Sequence, residues 1–138
     1  MELKELRNKS ATELKNHLLD LHKDSQTGTG WDSTEEHAVI LASSLINQGL
    51  NEDHSVGLAI NGREPAWHIP RRNEYQSRSL LKALAVAAPS EHTLKEFIQR
   101  NNKSLGRRSS LLIITASVDP TWVESLVPLM RRGILPTI

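Results

Sequence analysis

Two short stretches without a single charge, Val56-Gly-Leu-Ala-Ile-Asn-Gly62 and Ser110-Leu-Leu-Ile-Ile-Thr115, constrain this chain more than any other feature. With 24% of all residues charged, such runs are what a strand needs in the middle of a sheet covered on both faces. Helical patterns separate them. Asp32 or Ser33 can cap a first helix, and Ser33 with Glu36 forms a capping box. Ala38, Leu41, Ala42, Leu45 and Ile46 then recur at helical spacing up to a stop at Gly49. Leu80, Leu81, Leu84 and Ala85 predict a second helix over 74–88, ended by Pro89, and Leu94, Phe97 and Ile98 a third over 91–104.

The remaining segments complete the order. Pro65 to Pro70 reads as extended, its two prolines suiting a sheet edge, and pairs as a hairpin with the strand before it. Asp119-Pro120 supplies an N-cap with proline at the first helical position. The helix that follows carries Val123, Leu126, Val127 and Met130 to Gly133, with Pro128 kinking it or splitting it in two. Residues 134–138 read as a strand cut short by the end of the chain. Strands separated by helices imply an α/β, Rossmann-like parallel sheet with right-handed crossovers and helices on both faces. Sites in such sheets gather at the carboxyl ends of the strands, here the loops 20–32, 89–93 and 115–120.

The first 24 residues carry two competing patterns. Leu3, Leu6, Leu14 and Leu18, with the Ser10-x-x-Glu13 capping box, favour two short helices, whereas the topology asks for a strand over 16–21. Residues 1–16 are accordingly set apart as a helical extension of a domain running over 17–138.

Length and composition narrow the function. The chain's 138 residues make one domain with one core. No cysteine is present, which excludes disulfides, thiolate zinc sites and cysteine nucleophiles and fits a reducing compartment. Seventeen basic and sixteen acidic residues give a net charge of +1 without a concentrated basic field, so no nucleic-acid partner is expected. The pairs Arg71-Arg72, Arg107-Arg108 and Arg131-Arg132 read as solvated element ends. No apolar run approaches the roughly 20 residues that span a bilayer. The start, MELKELRNKS, lacks a signal-peptide core, so the expected setting is the cytoplasm, or the cytoplasmic part of a membrane protein.

Five segments taken in order carry a family resemblance: LLDLHKDSQTGTGWDSTEEHAVILASSL, VGLAING, LLKALAVAAPSEHTL, GRRSSLLIITASVDPTWVESL and RRGILP. They resemble the C-terminal, von Willebrand A-like part of an uncharacterised bacterial family (domain of unknown function, fifty-eight) encoded beside MoxR-type AAA+ ATPases. The resemblance implies a domain incomplete at its C-terminus, a truncated copy whose relatives are often membrane-anchored. It also implies a place for Mg²⁺ at the top of the sheet, held by an Asp-x-Ser-x-Ser loop, a threonine and a later aspartate. Carried over, the loop is Asp20-Leu-His22-Lys-Asp24, the threonine is Thr93, and the later aspartate falls on Ala116. Two hydroxyls and one carboxylate are thus replaced, and the site is degenerate, with no resident cofactor expected and at most weak Mg²⁺ or Mn²⁺ binding. Residues 1–21, through KELRNKSATELKNHLLDL, also resemble a small helical-hairpin protein of the large ribosomal subunit.

Other chemistry finds little footing. Gly28-Thr-Gly30 lacks the lysine of a phosphate loop, and neither a Gly-x-Ser-x-Gly elbow nor a His-Glu-x-x-His zinc motif occurs. Trp67 and Trp122 read as packing residues. Trp31 reads as an exposed aromatic anchor beside the degenerate loop, with Asp32, His92 and Asp119 as further partner-binding candidates. The expected function is a non-catalytic protein-interaction module, an adaptor for a MoxR-type ATPase, able also to self-associate through its terminal strand. The alternatives are a metal-dependent hydrolase using Asp20, His22, Asp24 and His92, and a ribosome- or RNA-associated protein binding through its N-terminal helices.

Overall fold

The computed structural model describes residues 14–104 and 109–138. Five strands, β1 (Leu14–Asp20), β2 (Ser55–Asn61), β3 (Ala66–Arg71), β4 (Ser109–Ile114) and β5 (Leu135–Thr137), form one sheet in the order β3-β2-β1-β4-β5. β1 runs parallel to both β2 and β4, and β4 parallel to β5. Only β3 is antiparallel, as the second arm of the expected hairpin. Its register slips between Val56 and Leu58, at Gly57. A Cβ on Gly57 would sit 2.6 Å from the His68 carbonyl oxygen and 2.8 Å from the Pro70 nitrogen, so a glycine is what lets the edge arm approach.

Among the described residues, four helices flank the sheet: α1 (Thr34–Asn51), α2 (Gln76–Ala85), α3 (Leu94–Asn101) and α4 (Val127–Arg131). α1 and α2 lie on one face, where Ala42, Ile46, Leu80 and Leu84 pack on Leu19, Leu21, Val56, Leu58 and Ile60. α3 and the segment 120–131 lie on the other, where Leu94, Phe97, Ile98, Trp122, Leu126 and Leu129 meet Leu18, Ala59, Leu111 and Ile113. Successive residues of β1 thus feed opposite cores, as the two-residue period of a strand requires. Each fully buried aliphatic side chain contributes about 1.5–3 kcal/mol.

The local rules account for most boundaries. Ser33 caps α1 by accepting from Glu36 N–H at 3.1 Å. The third helix starts at Leu94 and not at 91, because Thr93 turns its hydroxyl back to accept from Glu96 N–H at 3.2 Å. Asp119 caps the last helical segment through Thr121 N–H at 3.0 Å. That segment divides as expected: a 3-10 turn over Pro120–Leu126 leads into α4, with Pro128 inside the first turn of α4, where its missing N–H costs nothing. At the N-terminus the helical reading is overturned for Leu14 and Leu18. Leu14, Lys15 and Asn16, assigned to the extension, are the first residues of β1. Pairing with β2 and β4 on both sides, and the burial of Leu18 and Leu19 at 1% and 0% exposure, outweigh local helix propensity. Leu3, Leu6, Ser10 and Glu13, and with them the rest of the predicted extension, lie outside the described residues.

Candidate functional site

The carboxyl ends of β1, β2 and β4 meet at Asp20, which closes β1 and is 1% exposed. Its Oδ1 accepts from the Asn61 side-chain amide at 2.8 Å and from His22 N–H at 3.2 Å. Its Oδ2 accepts from the Thr115 hydroxyl at 2.7 Å. Asn61, the last residue of β2, also donates to the His92 carbonyl at 3.0 Å, and Thr115 Oγ1 accepts from Ser117 N–H at 3.0 Å. A single carboxylate therefore ties together three strand ends and the two loops that follow β1 and β4. A buried carboxyl without such donors would carry a large desolvation cost.

Above Asp20 lies a hollow of about 590 Å³. Asp20, His22, Asp24, Ser25 and Thr27 line it from the first loop, Thr93, Leu94 and Lys95 from the start of α3, and Ala116 to Asp119, Thr121 and Trp122 from the last loop. Asp20, His22, Asp24, Thr93 and Asp119 are thus brought to one place, as their positions in the chain suggested. Trp31, Asp32 and His92 are not among the lining residues. Among the described residues, no three His, Asp or Glu side chains come together as a set able to hold a metal ion.

Several of these polar groups already have partners. His22 directs Nδ1 at the Ser90 carbonyl, 3.3 Å away, and Nε2 at Asp24 Oδ2, 3.5 Å away. The Thr93 hydroxyl donates to Glu96 Oε1 at 3.2 Å while capping α3. His92 Nδ1 lies 3.3 Å from Glu96 Oε2. Hydrogen bonds from His92 first, and then from Thr93, hold the Glu96 carboxyl below its ordinary range. The Thr121 N–H and hydroxyl do the same for Asp119.

Trp31 is 83% exposed, in a 3-10 turn over Gly30–Asp32. The loop leading to it is cinched at its base, where Thr34 N–H donates to the Thr27 carbonyl at 2.8 Å and Thr27 N–H to Thr34 Oγ1 at 3.0 Å. Gly28 adopts φ +82°, and a Cβ there would meet the Asp32 carbonyl at 2.9 Å. The glycine pair closes this turn. Trp122 is 6% exposed in the core, and half-buried Trp67 stacks on Phe97 with ring centroids 5.8 Å apart. Reading the sequence singled out neither Asn61 nor Lys95, and covered Val118 only as part of the loop 115–120. Asn61 had a signal, as a polar residue at the carboxyl end of a buried strand; Lys95 had none.

Comparison with known proteins places the fold. BatB, a conserved hypothetical protein from Bacteroides thetaiotaomicron, superposes with a TM-score of 0.64 at 17% identity, over 91% of this chain and 64% of its own. An aerotolerance-related membrane protein from Bacteroides fragilis gives 0.67 at 18% identity, over 90% of this chain and 65% of its own. The VWA domain of SpRpn10 gives 0.59 at 14% identity, over 91% and 72%. The fold is therefore of the von Willebrand A type. The chain spans just under two thirds of the length of the first two. No family model and no curated protein matches the sequence. No helix among the described residues is long and apolar enough to cross a membrane.

Proposed function

We propose that this chain is a protein-interaction module whose top-face hollow receives a partner without a resident metal ion. The observation that carries the reading is the state of Asp20. A Mg²⁺ site needs several oxygen donors with lone pairs turned toward one point. Both oxygens of Asp20 already accept from Asn61, His22 and Thr115, the Thr93 hydroxyl is turned to Glu96, and Ala116 offers no side-chain donor. The donor set does not fit the ion, and the same residues serve as a rigid floor beneath the hollow.

The floor leaves a rim suited to a protein surface. Val118 is 98% exposed, and Leu94 and Trp122 line the wall below it. Lys95, Asp24 and Asp119 supply polar contacts at its edge. Burying an exposed apolar rim residue, with polar groups around it to exclude water, is how interfaces concentrate binding energy. By the family resemblance, the partner is a MoxR-type AAA+ ATPase on the cytoplasmic side of the membrane, and the module is its non-catalytic adaptor.

Titration of the chain against a MoxR-type ATPase, in EDTA and again in millimolar Mg²⁺, tests the reading. Equal affinity in both media, with a loss of tenfold or more in the variant Val118→Glu/Lys95→Glu, is expected. Binding abolished by EDTA, binding that the double variant leaves unchanged, or no binding at all would overturn it.

A further inference from the structure

The hollow above Asp20 has a charge as well as a shape. Of the residues that line it, Asp20, Asp24 and Asp119 are acidic, and Lys95 is the one lysine or arginine among them. Asp20 accepts hydrogen bonds from three neutral donors, the Asn61 amide, the His22 N–H and the Thr115 hydroxyl. Such bonds stabilise a buried carboxylate but leave its charge in place. Among the described residues, no lysine or arginine forms an ion pair with Asp20, Asp24 or Asp119. Asp24 faces the His22 ring at 3.5 Å with 77% of its side chain exposed, and Asp119 Oδ1 accepts from Thr121 N–H.

A divalent ion at this place would offset most of that negative charge and offer a coordination position to a partner's carboxylate. The donor set does not fit such an ion, because Asp20 and the Thr93 hydroxyl are engaged and Ala116 has no side-chain oxygen. What remains is a negative field in a concave place, where low-dielectric walls focus it. Part of the wall is apolar: Leu94 and Trp122 are buried in it, and Val118 stands exposed at the rim. A side chain that suits both features is aliphatic along its stem and cationic at its head. Arginine suits them better than lysine, because its guanidinium is more weakly hydrated and offers several N–H donors to carboxylates at once.

We propose that the hollow selects its partner by charge, taking an arginine side chain whose head lies against Asp24 and Asp119 and whose stem covers Leu94, Trp122 and Val118. The inference rests on the hollow being the partner site, and adds the chemistry of what enters it. Lys95, at the start of α3, is left for an acidic group elsewhere on the same partner. A segment that offers the hollow only a carboxylate meets like charge at the floor and on two loops, and is rejected.

Two acetylated and amidated tripeptides, leucine-arginine-leucine and leucine-glutamate-leucine, are the probes. Each is titrated at low salt into the isotope-labelled full chain and followed by NMR. The arginine peptide is expected to shift the backbone amides of Leu94, Lys95 and Ala116 to Asp119 to saturation, with an affinity tenfold or more above that of the glutamate peptide. Asp24→Asn/Asp119→Asn is expected to weaken it tenfold or more. Asparagine caps a helix as well as aspartate does, so this variant keeps the fold, which its own spectrum checks. Asp53→Asn/Glu74→Gln removes as much charge from exposed positions outside the hollow and leaves the affinity unchanged. No shift at these amides, a glutamate peptide that binds as tightly, or equal weakening by the two double variants would overturn the proposal. Arginine binding without affinity for a MoxR-type ATPase would support the inference and remove the partner named above. Binding of the ATPase with the charge preference reversed would keep that partner and overturn the inference.

Discussion

Replacing Thr115 by valine removes one hydroxyl from the tie at Asp20 and preserves the side chain's shape. The hydroxyl donates to Asp20 Oδ2 at 2.7 Å, and Asp20 is 1% exposed, so water cannot readily take its place. Hydrogen bonds to a charged partner contribute about 1.5–3 kcal/mol, and a buried acceptor stripped of its donor loses most of that. Ser117 N–H also loses an acceptor at 3.0 Å, but it sits on a half-exposed loop that water reaches. For a chain of this size, 1 kcal/mol corresponds to about 3–4 °C in Tm, so Thr115→Val is expected to melt about 5–12 °C below wild type. Thr115→Ser keeps the donor and is expected within about 2 °C. Thermal unfolding followed by circular dichroism at pH 7.5 reads both. A Thr115→Val protein as stable as wild type would refute the claim that Asp20 is held by this bond.

Two further outcomes follow from the packing. His17 is buried, and burial first, then Lys15, hold its imidazole below the ordinary 6.5 against a hydrogen bond to Gly57. The unfolded chain therefore takes up a proton near pH 6.5 that the folded chain refuses, so this contribution is intact above about pH 7 and declines as pH falls below 6.5, by at most about 1.36 kcal/mol per pH unit; denaturant titrations should show His17→Leu losing less stability than wild type between pH 6.5 and 5, and parallel profiles would contradict it. Gly57→Ala forces a Cβ against backbone atoms of β3 and is expected to cost about 1–3 kcal/mol, read as a lower urea midpoint at unchanged slope; an unshifted midpoint would mean that the hairpin does not pack this closely.

How far the sequence can be read depends on whether the deciding forces are local. β2 and β4 are plain in it because burial on both faces leaves no room for charge, and the caps at Ser33 and Asp119 need only a few neighbouring residues. β1 is not plain. Leu14 and Leu18 stand four apart, which suits a helix as well as one face of a strand, and what decides is pairing with β2 and β4, at residues 41 and about 95 positions further on. The same limit governs the site. His22, Asp24, Thr93 and Asp119 do share the hollow with Asp20, but the bonds that occupy Asp20 come from Asn61 and Thr115, 41 and 95 residues away. Trp31 is a local neighbour of the site in sequence, yet the turns at Gly28 and Gly30 carry it clear of the lining.

Whether the Asp20 loop holds a metal is decided by the thermal stability and bound metal of the purified chain, measured with and without millimolar Mg²⁺, Mn²⁺ and Zn²⁺. A ligand bound only by the folded state raises Tm. No bound metal and no shift beyond about 1 °C are predicted, because the donors at the floor of the hollow are already engaged. A stoichiometric ion, or a rise of several degrees that Asp20→Asn abolishes, would contradict the account and identify the hollow as a working metal site.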